Sequence, residues 1–180
     1  MSLLLTILFY AAIAVVAILL IGSLITFLVE RSRYQRMFTQ GQLPNPAPQG
    51  FCPGQPHVLL DKKTPWLGKS FDSQAQMGFN IFTPAGASML KVATPLYKKF
   101  SRNTEGNTHA FYFRTYVGKG KKDTNKEVFK LDYDFSENPF LIRIILDEIV
   151  EIAPREYLGK IHVKFLPGFY VTIGYFGLRQ

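Results

Sequence analysis

Residues 3–29, LLLTILFYAAIAVVAILLIGSLITFLV, contain no charged side chain. As a helix rising about 1.5 Å per residue, the run reaches about 40 Å. The hydrocarbon layer of a bilayer needs about 20 apolar residues. Gly22, Ser23 and Thr26 are tolerated within such a segment. The run therefore predicts a transmembrane helix. A cleaved secretory signal would need a basic start, a shorter apolar stretch and a small-residue cleavage site. Here only Met1 and Ser2 precede the run, and it ends in bulky Phe27, Leu28 and Val29.

Charge predicts the orientation. Arg31, Arg33 and Arg36 follow the run, and no Lys or Arg precedes it. Basic residues favour the cytoplasmic side, so residues 31–180 are expected in the cytoplasm and the N-terminus across the membrane. All 21 lysines and arginines lie beyond position 30, where the net charge of +8 therefore sits. Such a module is drawn to an anionic leaflet. Nucleic acid is not expected as a partner, because no nucleic-acid-binding motif accompanies the charge. The single cysteine, Cys52, forms no internal disulfide, in keeping with a reducing compartment.

Residues 41–57, GQLPNPAPQGFCPGQPH, are rich in proline and glycine, which disfavours helix and central strand alike. Pro44, Pro46 and Pro48 favour extended polyproline-like backbone. The segment reads as a semi-rigid spacer, or else as a strap along a partner with Phe51 as its anchor. The domain boundaries expected are 1–36 for the span and its basic flank, 37–57 for the linker and 58–180 for a folded domain.

Within that domain the aromatic and β-branched run 109–117, HAFYFRTYV, predicts a strand. Residues 127–135, EVFKLDYDF, alternate strictly: Phe129, Leu131, Tyr133 and Phe135 share one face. The two form a hairpin around 118–126. Asn138 and Pro139 predict a helix start, with the helix running through FLIRIILDE. Residues 149–153 suit a strand, and 157–165 and 169–178 suit a closing hairpin. Residues 77–82 suit a strand, and 83–95 read as turns around a short element. About five to seven short strands with one short helix point to a small antiparallel barrel or sandwich.

No G-x-S-x-G, H-E-x-x-H or P-loop occurs. His57, His109 and His162 lie far apart in sequence, and Cys52 has no base nearby. Asp147, Glu148 and Glu151 read as a solvated face, or as partners of Arg143 and Arg155. No catalytic residue, metal ligand or cofactor site is therefore expected. The strand aromatics Phe111, Phe113, Phe129, Tyr133, Phe165 and Tyr170 form ordinary core or line an apolar cavity.

The stretch W-L-G-K-S-F at 66–71 resembles the W-x-G-K opening of a bacterial lipocalin-like group, the GXWXGK family. The blocks Tyr133-Asp134, 138–152, Y-L-G-K-I at 157–161 and Y-F-G-L at 175–178 are similar as well. Thr64 stands where the group has its first glycine, and 78–108 shows no match. The resemblance covers about residues 60–180. It implies a small calyx-like β-barrel and no established activity. It further implies that Trp66 closes the barrel, with Gly68 allowing close backbone approach and Lys69 partly covering the indole.

The expected whole is mainly β: a single N-terminal transmembrane helix followed by a small antiparallel lipocalin-like β-barrel with one short helix. The expected protein is a non-catalytic component of the bacterial inner membrane. It serves as an accessory subunit docked on a respiratory or photosynthetic complex, or as a tethered binder of a lipid or other hydrophobic molecule.

Overall fold

The computed structural model of the chain describes residues 28–57 and 64–180. Residues 28–40 form helix α1. The strands are β1 (Gly50–His57), β2 (Trp66–Asp72), β3 (Met77–Phe82), β4 (Ser101–Arg102) and β5 (Thr108–Lys119). They continue as β6 (Glu127–Asp132), β7 (Ile145–Ala153), β8 (Glu156–Leu166) and β9 (Phe169–Arg179), with helices α2 (Pro84–Ala93) and α3 (Phe140–Arg143) between them. Among the described residues no helix is long and apolar enough to cross a membrane. The expected span falls almost wholly on residues 1–27, outside the described residues.

Every strand pairing is antiparallel. Strands β1, β2, β3, β5, β6, β7, β8 and β9 follow one another around the wall, and β1 pairs with β9 to close it. The result is an eight-stranded barrel, with β4 a short addition beside β5. Closure gives each of these eight strands a neighbour on both sides along at least part of its length, which removes a free sheet edge.

The segment 41–57 is not a spacer. Its second half is β1, a wall strand, against the expectation from its prolines. Gly50–Pro53 pair with β2, and Gly54–His57 pair with β9. Each half is thus paired on one side only. A proline whose missing N–H would point to the other side costs the ladder nothing. The first half is ordered too. Gln42 and Glu151 exchange both backbone hydrogen bonds at 2.8 Å. Pro44 and Pro48 are buried, Pro46 is exposed, and Leu43 and Ala47 pack against the barrel core. Phe51, the expected anchor, is half exposed on the outer wall.

Two apolar clusters stabilise the fold. One fills the barrel, with Phe71, Phe113, Phe129, Leu131, Ile149 and Phe176 among its members. The other lies outside, where Phe38 of α1 packs on Val128, Val150, Leu158 and Tyr175. On the outer face of β6, Val128 is thus covered by α1. Lys126 fastens the helix end, its Nζ donating to the carbonyls of Phe38, Thr39 and Gly41.

Two local expectations need correction. Residues 84–93, expected as turns around a short element, form one ten-residue helix: Pro84 opens α2, and the Gly86 N–H donates to Thr83 Oγ1 at 3.2 Å as an N-cap. The helix after Pro139 lasts only four residues, and β7 begins at Ile145. Asn138 does not cap it. Its amide instead donates to the carbonyls of Tyr112 and Tyr133 at 2.7 and 2.8 Å.

Gly68 adopts φ +142°, and a Cβ there would sit 2.2 Å from the Cys52 carbonyl oxygen. The missing side chain lets the β1 backbone at Cys52–Gly54 pack closely on Gly68, where β2 bulges against β3. Gly68→Ala is expected to cost about 3 kcal/mol through backbone strain and overpacking. A urea titration would read it as a lower midpoint. An unchanged midpoint would mean that the bulge relaxes freely.

Candidate functional site

The barrel interior holds a buried polar cluster. Lys69 projects inward from β2, Asn80 from β3, Tyr133 from the end of β6 and Asp147 from β7. All four are nearly inaccessible to solvent. Lys69 Nζ lies 3.0 Å from Asp147 Oδ2. It donates to Asn80 Oδ1 at 2.9 Å and to Tyr133 Oη. Tyr133 Oη donates to Asp147 Oδ2 at 3.1 Å. The Asn80 amide donates to Tyr133 Oη and to the Phe111 carbonyl, each at 3.1 Å.

Trp66 joins the cluster from the start of β2. Its Nε1–H donates to Asn80 Oδ1 at 3.1 Å. Aromatic rings surround the ammonium group. Lys69 Nζ is 4.8 Å from the Phe176 ring centre, 5.2 Å from Tyr133, 5.4 Å from Phe113 and 5.5 Å from Trp66. Ring faces attract a desolvated cation. Burial pulls the Lys69 pKa below its ordinary value, while the charge and hydrogen bond of Asp147 oppose the shift. Burial, then the Asp147 charge, push the Tyr133 phenol well above its ordinary value, so it stays a donor.

Above this cluster lies a cavity of about 170 Å³. Its lining is mostly apolar, with Phe82, Phe111, Ile142, Ile145, Ile161 and Phe176 around Trp66, Lys69 and Asp147. Asp147 Oδ1 is buried and has no hydrogen-bond partner. A bare carboxylate oxygen is costly unless a donor reaches it. Phe111 shapes one wall from the left-handed region, at φ 54°. Its N–H is held by Tyr97 Oη at 2.9 Å.

The three N–H donors of Lys69 go to Asn80, Tyr133 and Asp147, which leaves no free amine. Cys52 is buried, and burial pushes its thiol up to about 11. Among the described residues no group of three His, Cys, Asp or Glu side chains could hold a metal ion.

A second buried cluster lies on the outer wall. Glu148 accepts from the Lys121 N–H at 2.7 Å and faces Lys130 Nζ at 3.4 Å. Its Oε2 lies 3.1 Å from His162 Nε2, and His162 Nδ1 lies 3.2 Å from Thr172 Oγ1. With the imidazole proton on Nε2, Thr172 donates to Nδ1. Asp147 and Glu148, expected on one solvated face, thus lie buried on opposite faces of β7, because strand side chains alternate. Arg143 pairs with Asp134 at 2.7 Å, and Glu151 accepts from the Arg155 N–H at 3.0 Å. His109 stacks on Phe79, with ring centres 4.3 Å apart, and does not join His162.

Of the aromatics expected around a cavity, Phe111 and Tyr133 line it. Phe113 and Phe129 lie in the barrel core beneath. Phe165 is exposed, and Tyr170 faces the outer groove beside α1. Bulges between Ile161 and His162, and between Lys164 and Leu166, shift the alternation of β8 against β9. Arg31 and Arg36 line that same groove, with Arg31 donating to the Thr172 carbonyl at 3.3 Å. Arg33 is exposed. Sequence reading missed Asn80 and Asp147 as partners of Lys69, because nothing local marks a pairing between distant strands. The chain matches no protein-family model, no curated protein and no solved structure.

Proposed function

We propose that the chain is a membrane-tethered, non-catalytic binding protein with a lipocalin-like barrel. Its ligand is a small apolar molecule carrying one hydroxyl or amine donor. The observation that carries this reading is the buried, unpartnered Oδ1 of Asp147, a residue that lines a mostly apolar cavity together with Lys69, Asn80 and Tyr133. A cavity of about 150 Å³ is known to accept benzene, so the ligand's buried part is ring-sized. The uncharged run at 3–29, with arginines following it, supports a tether and a barrel on the cytoplasmic side of a bacterial inner membrane. Docking as an accessory subunit of a larger complex is the other expectation, and the first of the two. It is weakened because the proline-rich segment is already engaged by the barrel itself.

Trp66 is the sole tryptophan and lines the cavity. Phenol added to the full chain in micelles is expected to change its emission saturably. Toluene, lacking the donor, is expected to bind about tenfold more weakly, since a hydrogen bond to a charged group contributes about 1.5–3 kcal/mol. Asp147→Asn should narrow that difference. No saturable change with any ring-sized alcohol or amine, and no bound small mass in native mass spectrometry after gentle extraction, would refute the reading.

A further inference from the structure

One end of the barrel is apolar and open to solvent. Phe140 and Leu141 of α3 are 73% and 71% exposed. At the β8–β9 tip, Phe165 and Leu166 are 68% and 65% exposed, and Phe169 is 53% exposed. The two elements meet: the Lys164 N–H donates to the Ile144 carbonyl at 2.8 Å. A groove of about 460 Å³ runs between them. Exposed apolar surface of this kind marks an interaction site.

The rim is basic. Lys164 and Arg143 border the groove. Lys122 Nζ lies 5.6 Å from the Phe169 ring centre, and Lys121 Nζ lies 4.8 Å from that of Tyr170. Asp134 is the acidic residue on the groove, and it is spent on Arg143. A second copy of this end would meet the same cations and be repelled. An anionic surface would be attracted.

The exit of the chain points the same way. Leu28 and Val29 close the uncharged run and share a groove with Tyr170 and Thr172, directly after the tip. A chain tethered through that run holds the β8–β9 tip at the bilayer side. Ile142 of α3 meanwhile lines the barrel cavity.

We propose that α3 and the β8–β9 tip form a bilayer-docking end. Its aromatic and aliphatic side chains enter the acyl layer, and Arg143, Lys164 and Lys122 lie among anionic headgroups. This surface rests on the tethered reading above. It places α3 between the membrane and the ligand cavity, so a membrane-dissolved ligand enters past that helix.

The test uses the full chain in vesicles, with an environment-sensitive dye on one introduced cysteine: Leu141→Cys, Phe165→Cys or, at the far end, Gln74→Cys. The buried native thiol of Cys52 stays silent. In vesicles of phosphatidylcholine with phosphatidylglycerol, dyes at 141 and 165 are expected to shift to the blue and to be quenched by brominated acyl chains. The dye at 74 should report water. The shift should weaken in pure phosphatidylcholine and at high salt.

Water-like emission at 141 and 165, in protein that remains anchored, would overturn the proposal. So would a blue shift in detergent that grows with protein concentration, which would mean that protein covers the patch. Phe165→Asp with Leu166→Asp should abolish the lipid dependence and leave phenol titration intact. Docking and ligand binding therefore fail separately.

Discussion

Lys69→Met is expected to remove about 3–5 kcal/mol of stability, the usual cost of breaking a buried ion pair from one side. Asp147 would then keep Tyr133 as its hydrogen-bond donor, without a countercharge. Asn80 Oδ1 would lose one of its two donors. Asp147→Leu is expected to cost less. The lysine left behind still has four ring faces and two hydrogen-bond acceptors around it. Its pKa is already drawn down by burial, so it can shed its proton instead of remaining an uncompensated charge. The double variant Lys69→Met with Asp147→Leu should recover most of the loss, because apolar side chains of similar size often replace a buried pair without penalty.

Urea unfolding followed by Trp66 emission reads all three variants, since the indole lies beside the ammonium. The cycle also separates stability from binding. If the pair is retained for its ligand, the double variant folds well but loses the preference for phenol over toluene. Equal midpoints for Lys69→Met and the parent protein would show that Asp147 is not held as an anion by this pair.

How far the sequence could be read depends on whether the signal was local. The alternation of 127–135 identifies the inward face of β6, and Phe129, Leu131 and Tyr133 do face inward. Thr83-Pro84 is a local helix start, an N-cap followed by proline at the first helical position, although TPAGAS also reads as a turn. Residues 145–148, ILDE, read as helix because Asn138-Pro139 favour a helix start. The helix ends after one turn, and a strand period then separates Asp147 from Glu148. That single error turned two buried carboxylates into a solvated face.

Other errors arose from partners that no local pattern reveals. Lys130 looks like an exposed strand lysine, yet it is buried and faces Glu148. The prolines of β1 argued against a wall strand, yet a strand that changes neighbour midway accommodates them. Trp66, Gly68 and Lys69 stood out in the sequence as a group. Their partners Asn80 of β3, Tyr133 just after β6 and Asp147 of β7 are assembled only by barrel closure.

Glu148→Ala is expected to be as damaging as Lys69→Met, at about 3–5 kcal/mol, for a different reason. Glu148 is fully buried and is shared by three donors: the Lys121 N–H, Lys130 and His162. Its removal leaves two buried cationic or imidazole groups facing a void, and it frees the loop that presses α1 onto the wall. Glu148→Gln keeps an acceptor and should cost less.

The pH dependence carries the same signature. Burial raises the Glu148 pKa, but the hydrogen bond and charge of His162, the Lys121 amide and Lys130 outweigh it, and the net shift is downward from 4.5. A carboxylate depressed in the folded state contributes stability above its unfolded pKa and loses it as pH falls through the folded value. The parent protein should therefore lose urea resistance progressively below about pH 4.5. The alanine variant should be weaker at neutral pH and flatter across that acid range. Glu137, an exposed carboxylate held at about 2 by Lys99, titrates in both proteins and cancels in the difference. Parallel acid profiles for the two proteins would mean that Glu148 is not the charge that joins His162 and Lys130 to the barrel wall.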